Sequence, residues 1–99
     1  MGTGPVGRAI VERRLKQTSA RLRALREELR VIDEQLVHLT DEAGDMGIRS
    51  LVSETPGAAY EYRHAQEHAD AMSKHRAHVA AMIDELEQRQ DLLLDRMGD

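Results

Sequence analysis

The sequence predicts an all-α fold, a long antiparallel two-helix hairpin of the coiled-coil type. Three observations predict it: two stripes of apolar residues at helical spacing, one clear break between them, and a helix-forming composition. The first stripe runs Val11, Leu15, Thr18, Leu22, Leu25, Leu29, Ile32, Leu36, Leu39, Ala43. The second runs Ala58, Tyr62, Ala65, Ala69, Met72, Arg76, Val79, Ile83, Leu86, Gln90, Leu93, Met97. Alternating steps of four and three keep one row of side chains facing a partner helix, which a strand or loop does not require. Hydrophobic residues are 40% and charged residues 32% of the chain, with no Phe or Trp. That balance belongs to long helices with one narrow seam.

Residues 1–5, with Gly2, Gly4 and Pro5, read as a flexible tail. Helix one is predicted from about residue 6 to about residue 45. Gly44 and Gly47 each cost about 1 kcal/mol relative to Ala inside a helix, so an extension to Val52 is weaker. The turn is placed at about residues 51–55, and a short third helical turn in the connection is an alternative. Thr55 is the expected N-cap and Pro56 the expected first residue of helix two. Pro favours that position and holds the residue before it extended. Helix two then runs to about Met97.

Folding back at this break pairs residues whose numbers sum to about 108. Leu22, Leu25 and Leu29 then oppose Leu86, Ile83 and Val79, Thr18 opposes Gln90, Met46 opposes Tyr62, and Arg76 opposes Ile32. A register one heptad shorter sets Leu25 against Arg76 and matches sizes less well. A polar residue such as Arg76 at a seam position is a device for setting register.

A lone hairpin of 99 residues has little interior, so self-association is expected, with two hairpins closing into a four-helix bundle. The second half of helix two is apolar over a wider arc than one seam needs. Ala80, Met82 and Leu94 flank the seam and Leu92 lies further round, which makes these four the candidate interaction surface.

Net charge is −4. Residues 1–31 carry a local +5 and residues 32–99 a local −9. In an antiparallel hairpin the basic start of helix one lies beside Asp84, Glu85, Glu87, Asp91 and Asp95, so internal neutralisation is the preferred account. Nucleic acid is not the expected partner, since no aromatic platform interleaves the arginines. The partners expected are a second copy and another protein. With no cysteine, no apolar run long enough for a membrane and no apolar signal region, a soluble cytoplasmic chain is expected. Twelve Arg to two Lys points to a GC-rich bacterial source.

Helix two also carries Glu61, His64, His68, His75 and His78 on one stripe beside the seam. His64 with His68, and His75 with His78, stand one turn apart, a spacing at which imidazoles hold Zn²⁺. The unit from Glu61 to His64 also has the Glu-x-x-His spacing of di-iron bundles, but helix one has no second such unit. The alternatives are therefore a metal centre at His64, His68, His75 and His78, a solvated histidine face without cofactor, or a pH-sensitive interface. Ser19, Ser50, Ser53 and Ser73 sit in no nucleophile turn, and no glycine loop cradles phosphate, so no enzyme activity is expected.

The segment from Leu22 to Leu39, with Arg26, Ile32, Asp33 and Leu36, resembles the first helix of the all-helical chorismate mutases. The resemblance covers less than a fifth of the chain. It implies a helical bundle in which Arg26 holds a substrate carboxylate. The family's second arginine falls on Ala43 and its lysine near Glu54, so two of the three cations are missing. What the resemblance implies is a mutase-like bundle without activity.

Overall fold

The computed structural model describes residues 4–98. It is an all-α hairpin of two helices, α1 (Pro5–Ser53) and α2 (Pro56–Gly98). The Gly4 carbonyl accepts the Arg8 N–H at 2.9 Å and closes the first turn of α1. Helix thus begins at Pro5, inside the expected tail, whose residues 1–3 lie outside the described residues. At the other end α1 runs through Gly44 and Gly47 to Ser53 without interruption. It therefore follows the weaker of the two expected courses, the extension to about Val52, rather than stopping near residue 45, and leaves no third helical turn in the connection.

The connection is two residues long. Glu54 takes the left-handed conformation, φ 52°, and its N–H reaches the Ser50 carbonyl at 3.1 Å. A left-handed residue just past a helix satisfies a terminal carbonyl and turns the chain out of the helix. Thr55 then caps α2 as predicted, its Oγ1 accepting the Ala58 N–H at 3.2 Å. Pro56, which has no N–H to satisfy, is the first helical residue.

All ten positions of the first stripe are buried or half-buried, and so are all positions of the second except Tyr62. The helices pack as two compact units. Leu29–His78 form the turn unit. The parts of both helices that flank it, up to Glu28 and from Val79, form the terminal unit. The terminal unit buries Val11, Leu22, Leu25, Val79, Ile83 and Leu93, together with the Thr18 side chain. Leu22, Leu25 and Val79 are the largest fully buried side chains among the described residues. The turn unit buries Ile32, Ala43 and Ala69, a thinner core of smaller residues.

Polar pairs inside each unit report the register. In the terminal unit Gln90 Nε2 donates to Ser19 Oγ at 2.9 Å. In the turn unit Arg76 bonds Asp33, and a Cβ on Gly47 would stand 3.1 Å from the Tyr62 ring. These pairs match the longer of the two registers. The expected pairings are each displaced by one residue. Gln90 bonds Ser19 rather than Thr18, Arg76 meets Asp33 beside Ile32, and Tyr62 lies on Gly47 beside Met46. Long polar side chains reach past the seam to the flanking position, where a partner and water are both accessible.

Candidate functional site

In the terminal unit the two helices enclose an open groove of about 780 Å³. It is lined by Leu86, Leu93 and Thr18 at the seam, by the exposed Leu92, and by Arg14 and Arg21 from α1 and Arg89 and Arg96 from α2. The arginines of each pair stand seven residues apart, so the same heptad period that builds the seam repeats a guanidinium along each wall. Asp95 is the one acidic lining residue, with Gln17 completing the wall. All four arginines are exposed, and among the described residues none is in an ion pair.

This qualifies the expected neutralisation. Of Asp84, Glu85, Glu87, Asp91 and Asp95, Glu87 meets the basic helix, accepting from Arg26 Nη2 at 3.1 Å. The other four form no ion pair among the described residues. Arg26, the position matched by the mutase resemblance, is thus engaged with Glu87, and Asp33 of the same segment is engaged with Arg76.

The predicted interaction residues divide between two flanks. Leu92, 66% exposed, lines the arginine groove, whereas Leu94, 53% exposed, does not. Ala80 and Met82 are half-buried. Heptad spacing puts Ala80, Glu87 and Leu94 along one side of α2 and Met82, Arg89 and Arg96 along the other, so the four do not make one continuous arc. Sequence reasoning missed the pairing of Arg14 with Arg21 and of Arg89 with Arg96. Their seven-residue spacing was the available signal, obscured when charge is counted by segment.

Two further surfaces lie in the turn unit. The first is a groove lined by Glu42 and Met46 of α1 and by Tyr60, Glu61, His64 and His68 of α2. The His64 ring lies 5.9 Å from that of Tyr60, tilted by 38°. His75 and His78 are exposed and do not line this groove. Among the described residues no group of three or more His, Asp or Glu side chains is placed to hold a metal ion. The second is an outer stripe of α1, Glu34, Val37, Asp41, Gly44, Ile48 and Leu51, again at steps of three and four. Val37, Ile48 and Leu51 on it are 61%, 64% and 79% exposed.

Between α1 and α2 in the turn unit, Arg76 Nε donates to Asp33 Oδ1 and Nη2 to Oδ2, the latter at 3.4 Å. Hydrogen bonding from the guanidinium, aided by its charge, holds the Asp33 carboxyl below its ordinary value of 3.8 against the opposing effect of desolvation. The same hydrogen bond raises Arg76. The pair is half-buried, at a position where it ties one helix to the other.

Among the described residues no helix is long and apolar enough to cross a membrane. No protein-family model matches the chain, and no curated protein or solved structure is significantly similar to it.

Proposed function

We propose that this chain is a non-catalytic coiled-coil scaffold, acting in the cytoplasm, that self-associates and holds partner proteins on its helix faces. The observation that carries this reading is the placement of exposed apolar side chains between charges. Leu92 lies among the groove arginines, and Val37 between Glu34 and Asp41. An apolar strip contributes affinity when covered, and its charged rim selects the partner and orients it. A marginal hairpin with a thin turn-unit core gains most from such a partner. Sedimentation equilibrium at micromolar concentration is expected to give a dimer or larger species. Leu92→Asp with Leu94→Asp is expected to shift it toward monomer with helical circular dichroism unchanged. A monodisperse wild-type monomer would retire the self-association half of the proposal.

A metal-binding reading draws on the groove shared by Glu42, Glu61, His64 and His68. A metal bound to the folded state raises stability by RT ln(1 + [L]/Kd), about 2.7 kcal/mol at a hundredfold excess over Kd. Equimolar Zn²⁺ is expected to leave the Tm unchanged. A rise that His64→Ala and His68→Ala remove would replace the scaffold reading with a metal protein.

A further inference from the structure

We propose that the self-association is head-to-tail: the outer stripe of α1 in one copy, centred on Glu34, Val37 and Asp41, seats in the arginine groove of a second copy. This rests on the self-association reading and names its two surfaces. The groove presents Arg14, Arg21, Arg89 and Arg96 around Leu92 and Leu93, with no ion pair to those arginines among the described residues. A two-fold contact through this groove would set arginines against arginines, and like charges at close range repel. The occupant must instead bring carboxylates beside an apolar ridge.

The α1 stripe of the turn unit has that composition. Glu34 and Asp41 stand seven residues apart, as Arg14 and Arg21 do and as Arg89 and Arg96 do. Seven residues of helix rise about 10.5 Å, so carboxylates on the stripe and guanidiniums on each wall share one repeat. Val37 lies between the two carboxylates, 61% exposed and free to cover Leu92. Glu34 already meets Arg30 at 2.6 Å on its own helix. Both side chains are more than half exposed, and an exposed pair of this kind contributes little, so Glu34 can be shared or re-paired at small cost. Groove and stripe occupy different units, so after a single contact one copy keeps its groove unused and the other its stripe. Such a heterologous contact propagates unless its rotation closes a ring.

The test uses two charge-reversed variants of the full chain, Arg21→Glu with Arg96→Glu in the groove, and Glu34→Arg with Asp41→Arg on the stripe. In sedimentation velocity over a concentration series, wild type is expected to grow beyond the monomer, and less so in high salt. Each variant alone is expected to associate at least tenfold more weakly, with helical circular dichroism retained. An equimolar mixture of the two is expected to regain association, because each reversed surface then finds an opposite one. Should a reversal cost helix, Arg21→Gln with Arg96→Gln and Glu34→Gln with Asp41→Asn carry the same expectation of weakening. Wild type that associates while the variants match it, or variants whose mixture stays monomeric, would overturn this contact and leave self-association standing. A wild-type monomer would overturn both, and one that binds duplex DNA through the groove arginines would assign the groove to nucleic acid.

Discussion

Arg76 and Asp33 show how one polar position acts in an apolar stripe. Arg76 is the one fully charged residue among the positions that should face the partner helix. It does not sit buried against Ile32 but turns to the flanking Asp33, where water still reaches both groups. That placement avoids the desolvation a fully buried ion pair would suffer. Because the native Asp33 carboxyl lies below its ordinary value, the unfolded chain takes up its proton first on acidification. The stabilisation is therefore complete above about pH 4 and is lost as pH falls through the lower native value. Urea melts are expected to show wild type losing stability across that window more steeply than Asp33→Asn. Equal slopes would mean that the Asp33–Arg76 contact does not favour the folded state.

The two helices are held unequally along their length. A stripe residue such as Leu25 is fully buried, while Val31, between stripe positions, is exposed. Removing a buried leucine side chain forfeits its transfer free energy and leaves a cavity, whereas trimming Val31, which water reaches, forfeits less and leaves no closed cavity. Leu25→Ala is expected to cost roughly 2–4 kcal/mol in chemical denaturation. Val31→Ala is expected to cost well under about 1 kcal/mol. Similar losses at the two sites would contradict the assignment of the seam. The start of α2 is set by local chemistry, a threonine cap and a proline, and Arg96 lies in its last turn, where a cation suits the negative end of the helix dipole.

On the scale of the whole molecule, bulky core and small core are separated. The terminal unit buries leucines, valines and isoleucine, and the turn unit buries one isoleucine and two alanines. Each buried large side chain contributes about 1.5–3 kcal/mol, and an alanine much less. Local opening follows the weaker packing. Native-state hydrogen exchange is expected to find backbone amides between residues 43 and 69 exchanging well before those at 18–25 and 79–86. Uniform protection along both helices would show that the hairpin opens as a single cooperative unit and that core size does not set the order.

The sequence alone determined the two helices, their antiparallel return and the Thr55–Pro56 start of α2, and it favoured the longer register over one a heptad shorter. These features depend on spacing along one chain and on size matching between two stripes, both of which are present in the order of residues. The continuation of α1 past Gly44 and Gly47 belongs instead to tertiary packing. Isolated propensity argues for an end near Gly44 and Gly47, yet Gly47 lies under the Tyr62 ring, where a larger side chain would crowd it. A helix whose face is covered tolerates glycines that an isolated helix would not. The polar partners were also decided in three dimensions. A small rotation of each helix about its axis chooses Ser19 over Thr18 for Gln90, and Asp33 for Arg76. The arginine groove belongs to the same class. Heptad spacing placed Arg14 and Arg21 on one face, and Arg89 and Arg96 on another. Only the packing of α1 against α2 brought those two faces to one leucine-lined groove, because contact between helices depends on rotation and distance that no single-chain period encodes.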